Sequence, residues 1–297
     1  MRSSVVVLFH RPLSKEWFQN AIETLERYFQ IISVNDFHQQ LLAKSLKRKC
    51  LITFDDGDKS VYENAYPVLK SKGYQAILFV SPQIIQTQKN YWFQEIGQMN
   101  KLRQRAFYKD IYHYDIKDGE VGVTERLKSK KYCEIEQFVA QILKEIESKP
   151  QNLTPNQFLE MIQEGVIVPG AHTINHPILK NESLTNAENE IIQSVIELEK
   201  MVGNKVKYFA YPNGVPNLDF TKREYNAIEK AGVELAFSCR NAMLKPTDDL
   251  YALPRIEISD GGRLKLTMKT YYGPRLFGSY FEKRYSNLQF QNRKAGT

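Results

Sequence analysis

The stretch Cys50-Leu51-Ile52-Thr53-Phe54-Asp55-Asp56-Gly57 carries an apolar run straight into two adjacent carboxylates and a glycine. Apolar and β-branched residues that meet a Gly break read as a buried strand and its exit loop. Ionised Asp is almost never fully buried unless it is paired or bound to metal. A core has no use for Asp55 and Asp56, so the strand points them at a site. The plainer reading, two incidental acids on a solvated loop, holds only while the segment is taken alone.

Outward from this strand, the chain alternates between strand-like and helix-like segments. Val5-Val6-Val7-Leu8-Phe9 reads as a first strand. It is too short for a membrane span and lacks the small-residue cleavage site of a leader peptide. Trp17, Ala21, Ile22, Leu25 and Tyr28 recur at helical spacing over 14–28. The sequence then predicts a strand over 31–34, a helix capped by Asp36, a helix over 60–72 stopped at Gly73 and a strand over 76–80. After residue 150 the alternation resumes, with helices over 154–164, 185–202 and 223–231 and strands over 166–168, 207–210 and 235–237. This periodicity predicts an α/β chain built on a mostly parallel sheet or barrel.

The stretch 86–150, rich in Lys, Glu, Gln and Tyr, reads as a helical insertion, with a helix near 135–146. Trp92 and Phe93 within it either stack on a sugar ring or anchor the insertion to the core. The expected organisation is therefore a domain over 1–270, carrying the insertion, followed by a basic-aromatic tail over 271–297. That tail mixes bases and aromatics in the manner of an interfacial segment, so it is a candidate for peripheral contact with an anionic membrane.

Composition narrows the function classes. With 42% hydrophobic and 25% charged residues among 297, the chain is neither disordered nor a membrane-spanning bundle. Cys50, Cys133 and Cys239 have no metal-ligand spacing and no disulfide pattern, which fits a reducing cytoplasm. The net charge of +7 suits acidic partners such as phosphate-bearing substrates. Without a stacked-aromatic signature or a basic tail of low complexity, nucleic acid is not an expected partner.

The second chemical feature is Gly170-Ala171-His172-Thr173-Ile174-Asn175-His176-Pro177, which follows a predicted strand. Two histidines four apart converge on one metal ion if the loop makes a helical turn. Two His and one carboxylate form an open ligand set for a catalytic divalent ion, with Asp56 to complete it. In the competing reading His172 hydrogen-bonds in the core and His176 is exposed.

These two motifs make the chain resemble the polysaccharide deacetylases that carry a NodB-homology domain. Their first motif, TFDDG, stands at Thr53–Gly57, and their second, His-Ser/Thr-x-x-His, at His172–His176. The resemblance extends to Val5–His10, to Phe209-Ala210-Tyr211-Pro212-Asn213-Gly214 and to Leu253-Pro254-Arg255-Ile256. It implies a distorted, incomplete (β/α) barrel and a metal-dependent carbohydrate esterase. It also implies that Asp55 is the general base and that Asp56, His172 and His176 hold a divalent ion, most often Zn²⁺. The Tyr211, Pro212 and Asn213 loop would meet the substrate, with the Asn213 backbone N–H stabilising the oxyanion.

The chain departs from the family pattern in two places. Ala210-Tyr211-Pro212-Asn213 stands where many members have Arg-Pro-Pro-Tyr, so the Arg that orients the base is missing there. Leu253-Pro254-Arg255 stands where many have Leu-x-His, so the usual proton donor is missing too. Arg255 is the candidate to replace the absent Arg by approaching Asp55 from another strand. His10, at the end of the first strand, is the candidate site residue to donate a proton, since barrel enzymes keep their sites at that face.

The expected function is hydrolysis of an N-acetyl, or other small acyl, group on an amino sugar. An intracellular lipid-linked or nucleotide-linked precursor is the favoured substrate. Two rivals remain: a sugar-binding member of the same fold that has lost turnover, and a Mg²⁺ phosphatase using Asp56-Gly57-Asp58 as an Asp-x-Asp nucleophile motif. The phosphatase reading leaves the histidine pair without a role.

Overall fold

A computed structural model describes residues 3–259 and 261–273. Among them, β1 (Val5–Phe9), β2 (Gln30–Ile31), β3 (Lys49–Phe54), β4 (Ala76–Val80), β5 (Ile167–Ala171), β6 (Tyr208–Ala210), β7 (Leu235–Phe237) and β8 (Ile256–Glu257) form one sheet. Its order is β7-β6-β5-β4-β3-β1-β8, with β2 paired to β3. All of these pairings are parallel. One edge of β3 is shared: Lys49 and Cys50 pair with β2, while Ile52, Thr53 and Phe54 pair with β4.

The sheet curls into the incomplete barrel expected from the resemblance. A single parallel bridge between Phe237 and Leu253, with Ser238 N–H donating to Leu253 O at 2.8 Å, leads the chain from β7 round towards β8. The far side of β8 pairs with β1. An irregular segment thus occupies the place of a full strand.

Strand alternation sorts the core into two faces. Val5, Val7 and Phe9 of β1 and Cys50, Ile52 and Phe54 of β3 pack with Phe18, Ile22 and Leu25 of the helix Lys15–Glu26. Val6, Leu51, Ile77 and Phe79 pack on the opposite, inner face with Tyr208 and Phe237. The helix Val34–Leu42 closes part of that face with Phe37 and Leu41. Continuing the alternation from Leu51, Thr53 and Asp55 fall on the inner side.

Local signals explain most helix ends. Ser14 caps Lys15–Glu26 by accepting from Trp17 N–H, Thr154 caps Pro155–Gln163, and Ser183 caps the 19-residue helix Leu184–Val202. Gly73 ends Tyr66–Lys72 at φ 67°. Two expectations are corrected. The strand predicted over 31–34 ends at Ile31, and Ser33, not Asp36, caps the next helix. Ser33 Oγ accepts from Asp36 N–H at 3.1 Å and donates to the Asp36 carboxylate at 2.8 Å, so Asp36 is the reciprocal partner inside the first turn.

Between β4 and β5 the chain is helical, with Pro82–Thr87, Trp92–Gln98, Lys101–Tyr112, Val123–Leu127 and Tyr132–Ile142. This insertion packs an apolar cluster of its own around Ile96, Leu127, Ile135 and Phe138. Its return is stitched to the loop after β3, since Lys59 N–H donates to Gln151 O at 3.0 Å and Leu153 N–H to Gly57 O at 2.9 Å. No helix among the described residues is long and apolar enough to cross a membrane. Of the tail expected over 271–297, residues 274–297 lie outside the described residues.

Candidate active site

His10, Asp55, Asp56, His172, His176 and Asn213 all lie just beyond the carboxyl ends of parallel strands, where barrel enzymes place their chemistry, while Arg255 enters from the residue before β8. Asp55 N–H donates to Phe9 O at 3.0 Å, which extends the β1–β3 ladder by one rung. The chain then turns sharply, with Asp56 at φ 70° and Gly57 at φ 75°. Asp tolerates this left-handed conformation better than most side chains. A Cβ on Gly57 would stand 3.0 Å from Val80 Cγ1, so another residue there would carry backbone strain and press on Val80. The turn lets both adjacent carboxylates face one hollow.

The histidines converge, but not through a helical turn as expected. His172 N–H continues the ladder to Val80 O at 3.1 Å, and Thr173 and His176 both adopt positive φ, 63° and 57°. Thr173 Oγ1 accepts from His176 N–H at 3.1 Å. Glu190, from the helix Leu184–Val202, accepts from Ile174 N–H and Asn175 N–H at 2.9 Å each and from Asn175 Nδ2 at 2.7 Å. One carboxylate thus satisfies the donors of a strained loop.

The result is a buried cluster of Asp56, His172 and His176 whose donor atoms all lie within 4.8 Å of one another. Both Nε2 atoms are 3.6 Å from Asp56 Oδ1. His172 Nδ1 lies 2.7 Å from Ala210 O, and a carbonyl can only accept, so Nδ1 carries the proton and Nε2 is the free lone pair. Burial lowers the His176 pKa well below the ordinary value, which keeps the ring in its neutral, ligating form. Asp56 Oδ1 is buried with no hydrogen-bond partner. A buried, unpaired carboxylate oxygen between two imidazoles is costly alone and suits a divalent cation, so the residues present fit a metal.

Asp55 has a different environment. Arg255 Nη1 donates to Asp55 Oδ1 at 2.7 Å and Nη2 to Oδ2 at 2.8 Å, while Arg255 Nε donates to Ser238 O at 3.1 Å. Arg255 is 1% exposed, and its guanidinium lies 5.4 Å from the centre of the Phe79 ring. Burial alone would raise the Asp55 pKa, but the charge and hydrogen bonds of Arg255, with His172, more than offset it and hold the carboxyl below its usual value. For Asp56 burial wins over His10 and His172, and the pKa rises.

A cavity of about 290 Å³ is lined by Asp55, Asp56, His172, His176, His10 and Asn213. His10 Nδ1 is 3.7 Å from Glu257 Oε1, and Glu257 lines the same cavity. Asn213 has φ 56° on the loop after β6. Tyr211 is a correction: its side chain is fully buried away from the cavity, stacked on Phe220 at 3.6 Å, with its hydroxyl donating to Tyr251 O at 2.9 Å. Pro212 does not line the cavity either; its carbonyl accepts from Gly214 N–H at 2.6 Å in the turn that presents Asn213. Asp58 also lies outside the cavity, its carboxylate held by Arg11 Nε at 3.0 Å and Ser60 N–H at 2.9 Å.

The insertion forms the remaining wall through Trp92, Phe93, Thr124 and Lys128. Trp92 is 5% exposed and anchors rather than stacks, donating from Nε1 to His176 O at 3.0 Å. The Tyr91 hydroxyl accepts from Ser81 N–H at 3.2 Å and donates to Asp56 O at 3.1 Å. Adjacent residues of the insertion therefore hold the backbones of two residues of the cluster. Sequence reasoning missed Tyr91, Glu190 and Glu257; only the aromatic run Tyr91-Trp92-Phe93 offered a signal.

A family model described as polysaccharide deacetylase matches residues 43–236. The chain is 25% identical over 219 residues to YxkH of Bacillus subtilis (strain 168), covering 73% of this chain and 54% of that protein, so it spans about half of this relative's length. It is 22% identical over 255 residues to a poly-beta-1,6-N-acetyl-D-glucosamine N-deacetylase of Staphylococcus aureus, covering 84% and 68% of the two chains. Among solved structures, IcaB from Ammonifex degensii has the same fold, with a TM-score of 0.60 at 20% identity over 87% of this chain and 93% of that one.

Proposed function

The chain belongs to the polysaccharide deacetylase family, and from that membership and the geometry of its cavity we propose that it hydrolyses the N-acetyl group of an amino sugar. The observation that carries this reading is one hollow holding both an Arg-paired carboxylate and an Asp-His-His cluster. A phosphatase built on Asp56 and Asp58 would need both acids at one centre, whereas Asp58 is turned into an ion pair with Arg11.

In this proposal Asp56, His172 and His176 hold a divalent ion, with zinc the expected metal. When bound, such an ion supplies Lewis acidity and lowers the pKa of water. Asp55 stays ionised beside Arg255 and accepts the proton of the attacking water; each carboxylate oxygen keeps a lone pair after meeting the guanidinium. The backbone N–H of Asn213 faces the developing oxyanion. His10 gives a proton to the leaving nitrogen, with Glu257 orienting its ring, and the proton held by Asp55 passes to solvent as the products leave. Water oxygen joins the carbonyl carbon, the C–N bond breaks, and acetate and a free amine result.

The test is mass-spectrometric detection of acetyl loss from N-acetylglucosamine oligomers and from lipid- and nucleotide-linked precursors. It is run with metal-loaded protein and with Asp55→Asn. Release by the wild type and its loss in the variant are expected. Acetylated sugar bound without any release would point to the sugar-binding alternative. The net charge of +7 suits a phosphate-bearing precursor, whereas the relative from Staphylococcus aureus is named for a polymer.

A further inference from the structure

Taking the amino-sugar reading as its basis, we propose that the cavity continues into a second, cationic arm that binds a phosphate group carried by the acetylated sugar. The catalytic hollow and a neighbouring one share His10, Asp56 and Phe93 on their common border, so one ligand can lie across both. Arg11, Lys59 and Lys149 line the second hollow.

Three separate stretches of chain supply these cations. Arg11 follows β1, Lys59 follows the acid pair, and Lys149 lies on the return of the insertion. The hydrogen bonds that join 57–59 to 151–153 bring the last two together. Asp58, the remaining acid on this side, is 3% exposed and already engaged by Arg11 and Ser60. Lys59 and Lys149 are exposed and enter no ion pair among the described residues. An ammonium on a flexible stem serves phosphate as a point charge.

The lining also argues against a neutral neighbouring sugar. Such a ring gains most from aromatic platforms, and beyond the shared border residues Phe93 and His10 no aromatic side chain lines the arm among the described residues. Gln94, Gln98 and Gln151 complete the polar lining of the arm, with the Gln94 carboxamide already held by Asn152 and Tyr91 N–H and that of Gln98 by Glu95 and Lys149 N–H.

Calorimetry tests this without requiring turnover. Metal-loaded protein is titrated with N-acetylglucosamine 1-phosphate and with the neutral methyl glycoside of N-acetylglucosamine, as wild type and as the Lys59→Gln, Lys149→Gln double variant. The phosphate ester should bind the wild type about tenfold more tightly, as two charge contacts allow, and the double variant should lose most of that preference. Nucleoside-diphosphate and short prenyl-diphosphate sugars then identify the carrier. Equal binding of the two sugars by the wild type would overturn the arm. So would a preference that survives the double substitution, since the phosphate would then sit on the metal cluster. Acetate release, measured in parallel, reports on the deacetylase reading separately: a lysine-dependent preference without release keeps the arm and sinks that reading.

Discussion

Arg255 grips Asp55 through two parallel hydrogen bonds, 2.7 and 2.8 Å long, although the two residues stand 200 positions apart in the chain. The pair is buried, and removing one partner of a buried pair strands the other charge. Arg255→Ala should cost about 3–5 kcal/mol of stability, measured by denaturant unfolding. Arg255→Lys, which keeps the charge but not the fork, should fold and retain reduced, measurable activity.

The same contact sets a pH dependence. Arg255 holds the Asp55 pKa below its ordinary value, so the acid limb of kcat/KM that reports Asp55 should lie below the ordinary carboxylate range. In Arg255→Lys that hold is weakened while burial still pushes the pKa up, and the limb should move to higher pH. An acid limb at the same pH in both proteins would show that Arg255 does not tune the base.

Metal analysis checks the cluster directly. Wild-type protein should bind one divalent ion, and Asp56→Ala or His172→Ala should abolish that binding while the fold persists. A chelator should lower the melting temperature of the wild type, because a ligand of the native state stabilises by mass action. It should leave that of Asp56→Ala unchanged.

His10→Gln should reduce kcat by about 10²–10⁴-fold with metal content intact, the range for loss of a general acid. Glu257→Gln should have a smaller effect. A His10 variant with wild-type kcat would remove His10 from the reaction.

Tyr91→Phe and Trp92→Phe each delete one hydrogen bond to the backbone of a cluster residue. Losing such outer support lowers metal affinity by about 10–100-fold, which competition with a chromogenic chelator would read. If affinity is unchanged while stability falls, the insertion braces the fold and not the metal site.

Much of the strand framework was legible because a buried parallel strand is an apolar run, and Val5–Phe9, Ala76–Val80 and Leu235–Phe237 each stand out as one. β8 was not: Ile256–Glu257 is two residues long, follows Pro254-Arg255 and has no periodicity to detect. Ser33 and Asp36 are equally good capping types, so the local sequence does not choose between them. In the site, residue types announced Asp55, Asp56, His172 and His176, since acids and histidines at the ends of apolar runs are poor choices for a core. Tyr91, Glu190 and Glu257 carry no such mark, because each sits in a local setting that an ordinary surface or core residue could share.

Sequence by itself determined the parallel α/β plan and the chemical inventory: apolar periodicity is a local property, and so is the identity of a metal-ligating side chain. Tertiary structure decided which groups meet. The curl of the sheet brings Arg255 across the inner face to Asp55, the left-handed turns at Asp56, Thr173 and His176 aim three side chains at one point, and the insertion seats Tyr91 and Trp92 against that point. Those contacts depend on the path of the backbone over hundreds of residues, which no short window of sequence encodes.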